Sequence, residues 1–216
     1  MAAGLALAVA LGPAGCGGDD EGGAGDDGAA TEEPEAVPGV EPGAEDDVVG
    51  RPAVRDELLA MMEQDQTERT EGGGSVASDR ERTERLQAIV AEHGWPTLSL
   101  VGKEGATAAW VIAQHSDFDV ALQQEFLDLM RAAGDDVDAS EVAYLEDRVA
   151  VNNGEPQRYG TQARCVPGGG VEPATPLVDE AAVDDLRADA GMAPLADYYT
   201  EFEEGCVMDD SMAPEA

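Results

Sequence analysis

His115 and Asp117 are the two residues whose types and spacing come nearest to a reactive pair. Histidine changes charge near neutral pH, and a carboxylate beside it orients the ring and steadies the imidazolium, so the pair suits general acid–base catalysis. His115 follows Ala108, Val111 and Ile112 on an apolar helical stripe, while Trp110, Gln114 and Asp117 fall on the neighbouring face. Two readings stand for it: the base of a hydrolase-like site, or a hydrogen-bonded histidine of the core. Asp117 has no capping duty, because Asp119 already serves the next helix. Arg148, Gln157, Tyr159 and Gln162 carry the polar groups that would hold a polar or anionic ligand. On an extended segment Gln157 and Tyr159 share one side and Arg158 and Gln162 the other. Gly160 between them leaves room for close approach by a ligand or by the helix that carries Trp110.

Other chemistries lack their residues. Asp136, Asp138 and Ser140 alternate as in a calcium loop, but Glu141 stands where that loop needs glycine, and helix capping is the reading of Asp138. His93 and His115 have no zinc-type spacing, and no P-loop, Gly-x-Ser-x-Gly elbow or dinucleotide fingerprint occurs. No metal and no cofactor are therefore expected.

The elements that must position these groups read as mainly α (α+β): about six helices with one small β-hairpin, in a single compact domain over residues 51–208. The first helix spans Arg51 to about Arg69, and the second, capped by Ser78 or Asp79, ends at Gly94 before Trp95-Pro96. Residues 97–101 read as extended, and a third helix from about Glu104 to Ser116 is the most apolar. The fourth runs from Val120 to Ala133 with a stripe of Leu122, Phe126, Leu129 and Met130, between an Asp119 cap and a Gly134 stop. The fifth, with Asp138 and Glu141 as a capping box, ends near Arg148. The hairpin pairs residues 149–151 with 159–162 across an Asn153-Gly154 turn. A Gly/Pro loop over 167–176 leads to a last helix, Asp179 to about Ala190, and residues 209–216 form a loose tail.

Charge and the N-terminus bound the setting. The 216 residues hold 47 acids against 12 basic side chains, a formal charge of −35, which argues against binding nucleic acid or anionic lipid through the folded surface. With one lysine, Lys103, this is the composition of a protein suited to concentrated salt. Residues 1–15 read as a secretory signal peptide, and Ala14-Gly15 before Cys16 resembles a bacterial lipobox, which makes Cys16 a lipidated anchor. The expected location is the outer face of the cell membrane, contacted through the lipid only. Residues 16–50, with twelve acids and no aromatic or basic residue, read as a disordered tether reaching roughly 30–35 Å. In an exported protein, Cys165 and Cys206 are read as a disulfide.

Specific runs also resemble a known family. They are Gly94-Trp95-Pro96, Ser99 to Gly102, Ala108-Ala109-Trp110 and Gln114-His115-Ser116-Asp117, followed by Tyr144 to Arg148, Gln157 to Gln162, Val183-Asp184, Arg187 and Gly191 to Leu195. Asp65-Gln66 and Arg69 fit upstream. Over about residues 60–200 the chain resembles the bacterial family catalogued as domain of unknown function 6624. The resemblance implies a domain type and no particular activity. The leading expectation is therefore a binding or interaction module for an unknown small-molecule or protein ligand, and the alternative is the hydrolase-like enzyme.

Overall fold

The computed structural model describes residues 50–71, 74–166 and 169–206; the segments read as signal peptide, Cys16 anchor, tether to position 49 and 209–216 tail lie outside them. Seven α-helices and a two-stranded hairpin make up the described chain: α1 Pro52–Thr70, α2 Val76–His93, α3 Leu98–Gln114, α4 Val120–Ala133, α5 Ala139–Asn152, β1 Ala163–Cys165, β2 Val171–Pro173, α6 Val183–Asp189 and α7 Leu195–Glu204. This is the mainly helical class expected from periodicity. None of these helices is long and apolar enough to cross a membrane.

The core forms around α3. Its second half is built of Ala106, Ala108, Ala109, Ile112 and Ala113, all almost wholly buried, and such small side chains let neighbouring helices approach closely. A Cβ on Gly105 would lie 3.3 Å from Arg55 Cγ, so α1 runs tight against this face. Residues 98–101, expected to be extended, form the first turn of α3, which breaks at Gly102, whose φ of 71° is outside the helical region. Leu86 and Ile89 of α2 and Leu58 of α1 close the apolar layer. On α4 the buried stripe is Leu122, Phe126, Leu127 and Met130; Leu129, counted in the stripe from spacing, is 38% exposed. Asp119 caps α4 through the Leu122 N–H, and Gly134 ends it.

Several further boundaries differ from the sequence reading. The cap of α2 is Ser75, which exchanges hydrogen bonds with Ser78 in a capping box. At the start of α5, Asp138 accepts the Ser140 N–H, but Glu141 turns inward to Thr107 rather than back to the cap. The hairpin is displaced: residues 149–152 continue α5, because Val149 extends the buried stripe of Leu145, and Asn153-Gly154 is the helix stop, with Gly154 at φ 73°. The true strands pair Ala163 with Pro173 and Cys165 with Val171, inside and beside the expected Gly/Pro loop. The region read as one last helix contains the shorter α6, and α7 follows after Pro194. A Cys165–Cys206 disulfide, Cα–Cα 5.8 Å, ties β1 to the end of α7.

Candidate functional site

Asp65 of α1 and Asp147 of α5 are fully buried carboxylates, and Arg82 of α2 and Arg187 of α6 are buried guanidiniums. On α1, Asp65 is fully buried, one turn before Arg69. His115 closes α3 and places Nδ1 2.8 Å from Asp65 Oδ2 and 3.1 Å from Arg69 Nε. Arg69 Nε also reaches Asp65 Oδ2 at 3.2 Å, and Arg82 of α2 approaches Asp65 Oδ1 at 3.3 Å. Asp79 ties both arginines together, accepting from Arg69 Nη2 at 2.8 Å and Arg82 Nη2 at 2.9 Å, while Glu68 takes Arg82 Nη1. Burial pushes the Asp65 carboxyl up, but the hydrogen bonds and charges of His115 and Arg69 outweigh it and bring it to about 2. Asp65 is thus an anion throughout the neutral range. His115 Nδ1 thus faces both the Asp65 carboxylate at 2.8 Å and the Arg69 Nε–H, which donates to it at 3.1 Å. Nε2 has no hydrogen-bond partner among the described residues, and the side chain is 14% exposed.

Asp117 is not part of that pair. Its Oδ1 accepts from Arg148 Nε at 2.9 Å, its Oδ2 from Arg148 Nη2, and Oδ1 also from Asn152 Nδ2 at 2.8 Å and Gln123 Nε2 at 3.0 Å. Burial raises the Asp117 carboxyl, and Arg148, Asn152 and Gln123 together lower it below its ordinary value. The fork continues through Arg148 Nη1 to Gln162 Oε1 at 3.1 Å. Three of the residues singled out from the sequence, Asp117, Arg148 and Gln162, therefore form one connected group, anchored to the residue two positions after His115.

Residues 157–162 hold their shape around a further carboxylate. Asp147, fully buried on α5, accepts the backbone N–H groups of Arg158, Tyr159 and Thr161 and the Thr161 hydroxyl, at 2.7 to 3.2 Å. Burial raises its carboxyl, against the pull of these donors. Gln157 spends its side-chain amide on backbone: Nε2 donates to Gln162 O and Thr175 O, and Oε1 accepts the Gln162 N–H. Tyr159 lies against the Arg158 guanidinium, 5.4 Å from its ring centre, and its carbonyl accepts from the buried Arg187. The close approach that Gly160 allows is to Leu195 of α7, whose Cδ1 would sit 2.7 Å from an added Cβ, and to Leu177; it serves neither a ligand nor the Trp110 helix. Asp136, weighed for calcium, bonds Ser99.

The residue that sequence reasoning missed as a site member is Asp65. Its signal was present, since Asp65-Gln66 and Arg69 were among the family-like runs, but nothing in the spacing places them on His115. The fold and this site define a small helical domain with a charged network where its helices end. The chain belongs to the Family of unknown function (DUF6624), whose model matches residues 52–209. No curated protein and no solved structure matches the chain.

Proposed function

We propose that this chain is an exported lipoprotein, held on the outer face of the membrane by acyl chains on Cys16, whose helical domain binds a polar or anionic ligand where α1, α3 and α5 end. Export is supported by the Cys165–Cys206 pair, since disulfides persist in oxidising compartments. Binding rests on one observation: two charged clusters, Asp65–Arg69–His115 and Asp117–Arg148, flank the end of α3 on either side, from residues only two positions apart. A core made for stability alone does as well with apolar residues in place of buried ion pairs. The test is a thermal-shift screen of anionic and polar small molecules on wild type and His115→Ala. The binding reading predicts ligands that raise the wild-type melting temperature and lose that effect in the variant. A folded His115→Ala protein with every response unchanged refutes it. Incorporation of labelled palmitate into wild type but not Cys16→Ser checks the anchor.

A second reading, hydrolase-like catalysis, is favoured by the Asp65–His115 contact. In the tautomer that turns an Nδ1–H toward Asp65 in place of the Arg69 donor, Nε2 would take a proton from an attacking water, and Asp65 would stabilise the imidazolium formed. Arg148, released in part from Asp117, would steady an anionic substrate. In this reading Asp65 fills the orienting role that spacing suggested for Asp117.

A further inference from the structure

Trp110 and Gln114 lie one helical turn apart on α3, 6% and 4% exposed. Among the described residues neither Trp110 Nε1 nor Gln114 Nε2 has a hydrogen-bond partner. Buried N–H groups are satisfied in the great majority of folded proteins, and phenylalanine and leucine would fill these positions without that penalty.

Side-chain contacts fix what the two face. Thr107 reaches Glu141 at 2.6 Å, the Trp110 and Tyr144 rings meet edge to face at 6.0 Å, and Asp117 pairs with Arg148. Both series rise with residue number, so α3 and α5 run parallel here; carrying the 107/141 and 110/144 register one turn further sets Gln114 level with Arg148, and Asp117 follows past the end of α3. The 157–162 turn and α7 flank this seam: Arg148 Nη1 donates to Gln162 Oε1, Tyr198 stacks edge-on against Tyr144, and its hydroxyl donates to the Thr161 carbonyl at 2.8 Å. At its mouth the Asp117 side chain is 43% exposed.

We infer that this seam is a seat for the carboxylate end of a small organic acid. Trp110 Nε1 and Gln114 Nε2 donate to the carboxylate oxygens, and the Arg148 guanidinium balances the charge. Asp117 already presents a carboxylate to that fork, so the incoming group takes its place while Asp117 turns toward solvent. This deepens the binding reading of the preceding section and rests on it.

Acetate is the minimal probe, titrated into the full 15N-labelled chain against chloride at equal ionic strength. The chain has two tryptophans, so Trp110→Phe assigns both indole resonances. Acetate moves the Trp110 indole N–H downfield and saturably, and leaves Trp95 in place. Gln114→Leu weakens acetate about tenfold, the ~1.4 kcal/mol of one hydrogen bond to a charged acceptor, without lowering the melting temperature. Asp117→Asn tightens acetate, because the competing carboxylate has gone. A Trp110 resonance that ignores acetate, or follows chloride equally, overturns the seat, as does unchanged affinity in Gln114→Leu. If Gln114→Leu does not fold, Trp110→Phe followed through the Gln114 side-chain amide makes the same comparison. Acetate that shifts the Arg148 Nε–H while Trp110 stays fixed leaves binding at the helix ends standing and removes only this seat.

Discussion

Glu141→Gln should stabilise the domain, and increasingly so as pH rises. Glu141 is 8% exposed on the α3-facing side of α5, with Thr107 as its hydrogen-bond partner at 2.6 Å. Burial pushes its carboxyl up from 4.5 to about 7, Asp138 adds to the rise, and Thr107 and Lys103 oppose it. The folded state therefore prefers the protonated form. Its contribution to stability is fully present below the unfolded value of 4.5 and is lost as pH rises through 7. A displacement of about 2.5 units at ~1.36 kcal/mol each gives roughly 3 kcal/mol once the pH exceeds both values. A glutamine side chain at this position would keep the size and the contact to Thr107 without the charge. Between pH 5 and pH 8.5 the advantage of the variant should grow by about 2–3 kcal/mol, which for a domain of this size is roughly 5–10 °C in melting temperature. Urea unfolding at both pH values measures this as a shift in midpoint at constant m. A gap that is the same at pH 5 and pH 8.5, or a variant less stable at the higher pH, would refute the argument that burial dominates at this carboxyl.

Asp65 has the opposite sign. Its carboxyl lies at about 2 in the fold, so its contribution is present above 3.8 and lost as pH falls toward 2. Asp65→Asn leaves Arg69, Arg82 and His115 facing a neutral group, and should cost about 3–5 kcal/mol at pH 7 and progressively less in acid, read by denaturant midpoints. Removing the Cys165–Cys206 bridge, which closes a separation of 41 residues, should cost about 3–4 kcal/mol. A reductant should lower the melting temperature of wild type and leave the double serine variant unmoved. Gly160→Ala places a Cβ at φ 68° and 2.7 Å from Leu195 Cδ1, so it should cost about 1–3 kcal/mol and expose amides of α7 to faster hydrogen exchange.

How much of the fold was legible depended on whether the deciding interaction is local. The bounds of α4 follow from a side-chain cap at Asp119 and a glycine stop at Gly134, both within a turn of the helix, and they were read at the right residues. The Asn153-Gly154 pair is equally local but ambiguous, because a glycine at positive φ serves a hairpin turn and a helix stop alike. What decides between them is the burial of Val149 beside Leu145, which is a tertiary fact. The same reason displaced the strands, whose three-residue ladder carries too short an alternation to stand out from a Gly/Pro loop. The missed α7 did have a local signature: Leu195, Tyr198, Tyr199 and Phe202 fall at helical spacing directly after Pro194.

For the site, spacing found the residues and mispaired them. His115 and Asp117 are two positions apart, yet the ring bonds Asp65, fifty residues upstream, and the carboxylate grips Arg148 on the other side. Asp117, free of capping duty, does have structural work, the Arg148 fork. Two residues separated by two positions at a helix end diverge, so each is captured by whichever helix packs on its own side: α1 for His115, α5 for Asp117. The consequence is mechanical. α3 ends between two anchored side chains, with the Asp65 pair on one flank and the Arg148 pair on the other. Loosening either anchor should therefore disturb the orientation of the other through the short segment 115–117, and a double-mutant cycle on Asp65 and Arg148 should show coupling despite the lack of direct contact between them.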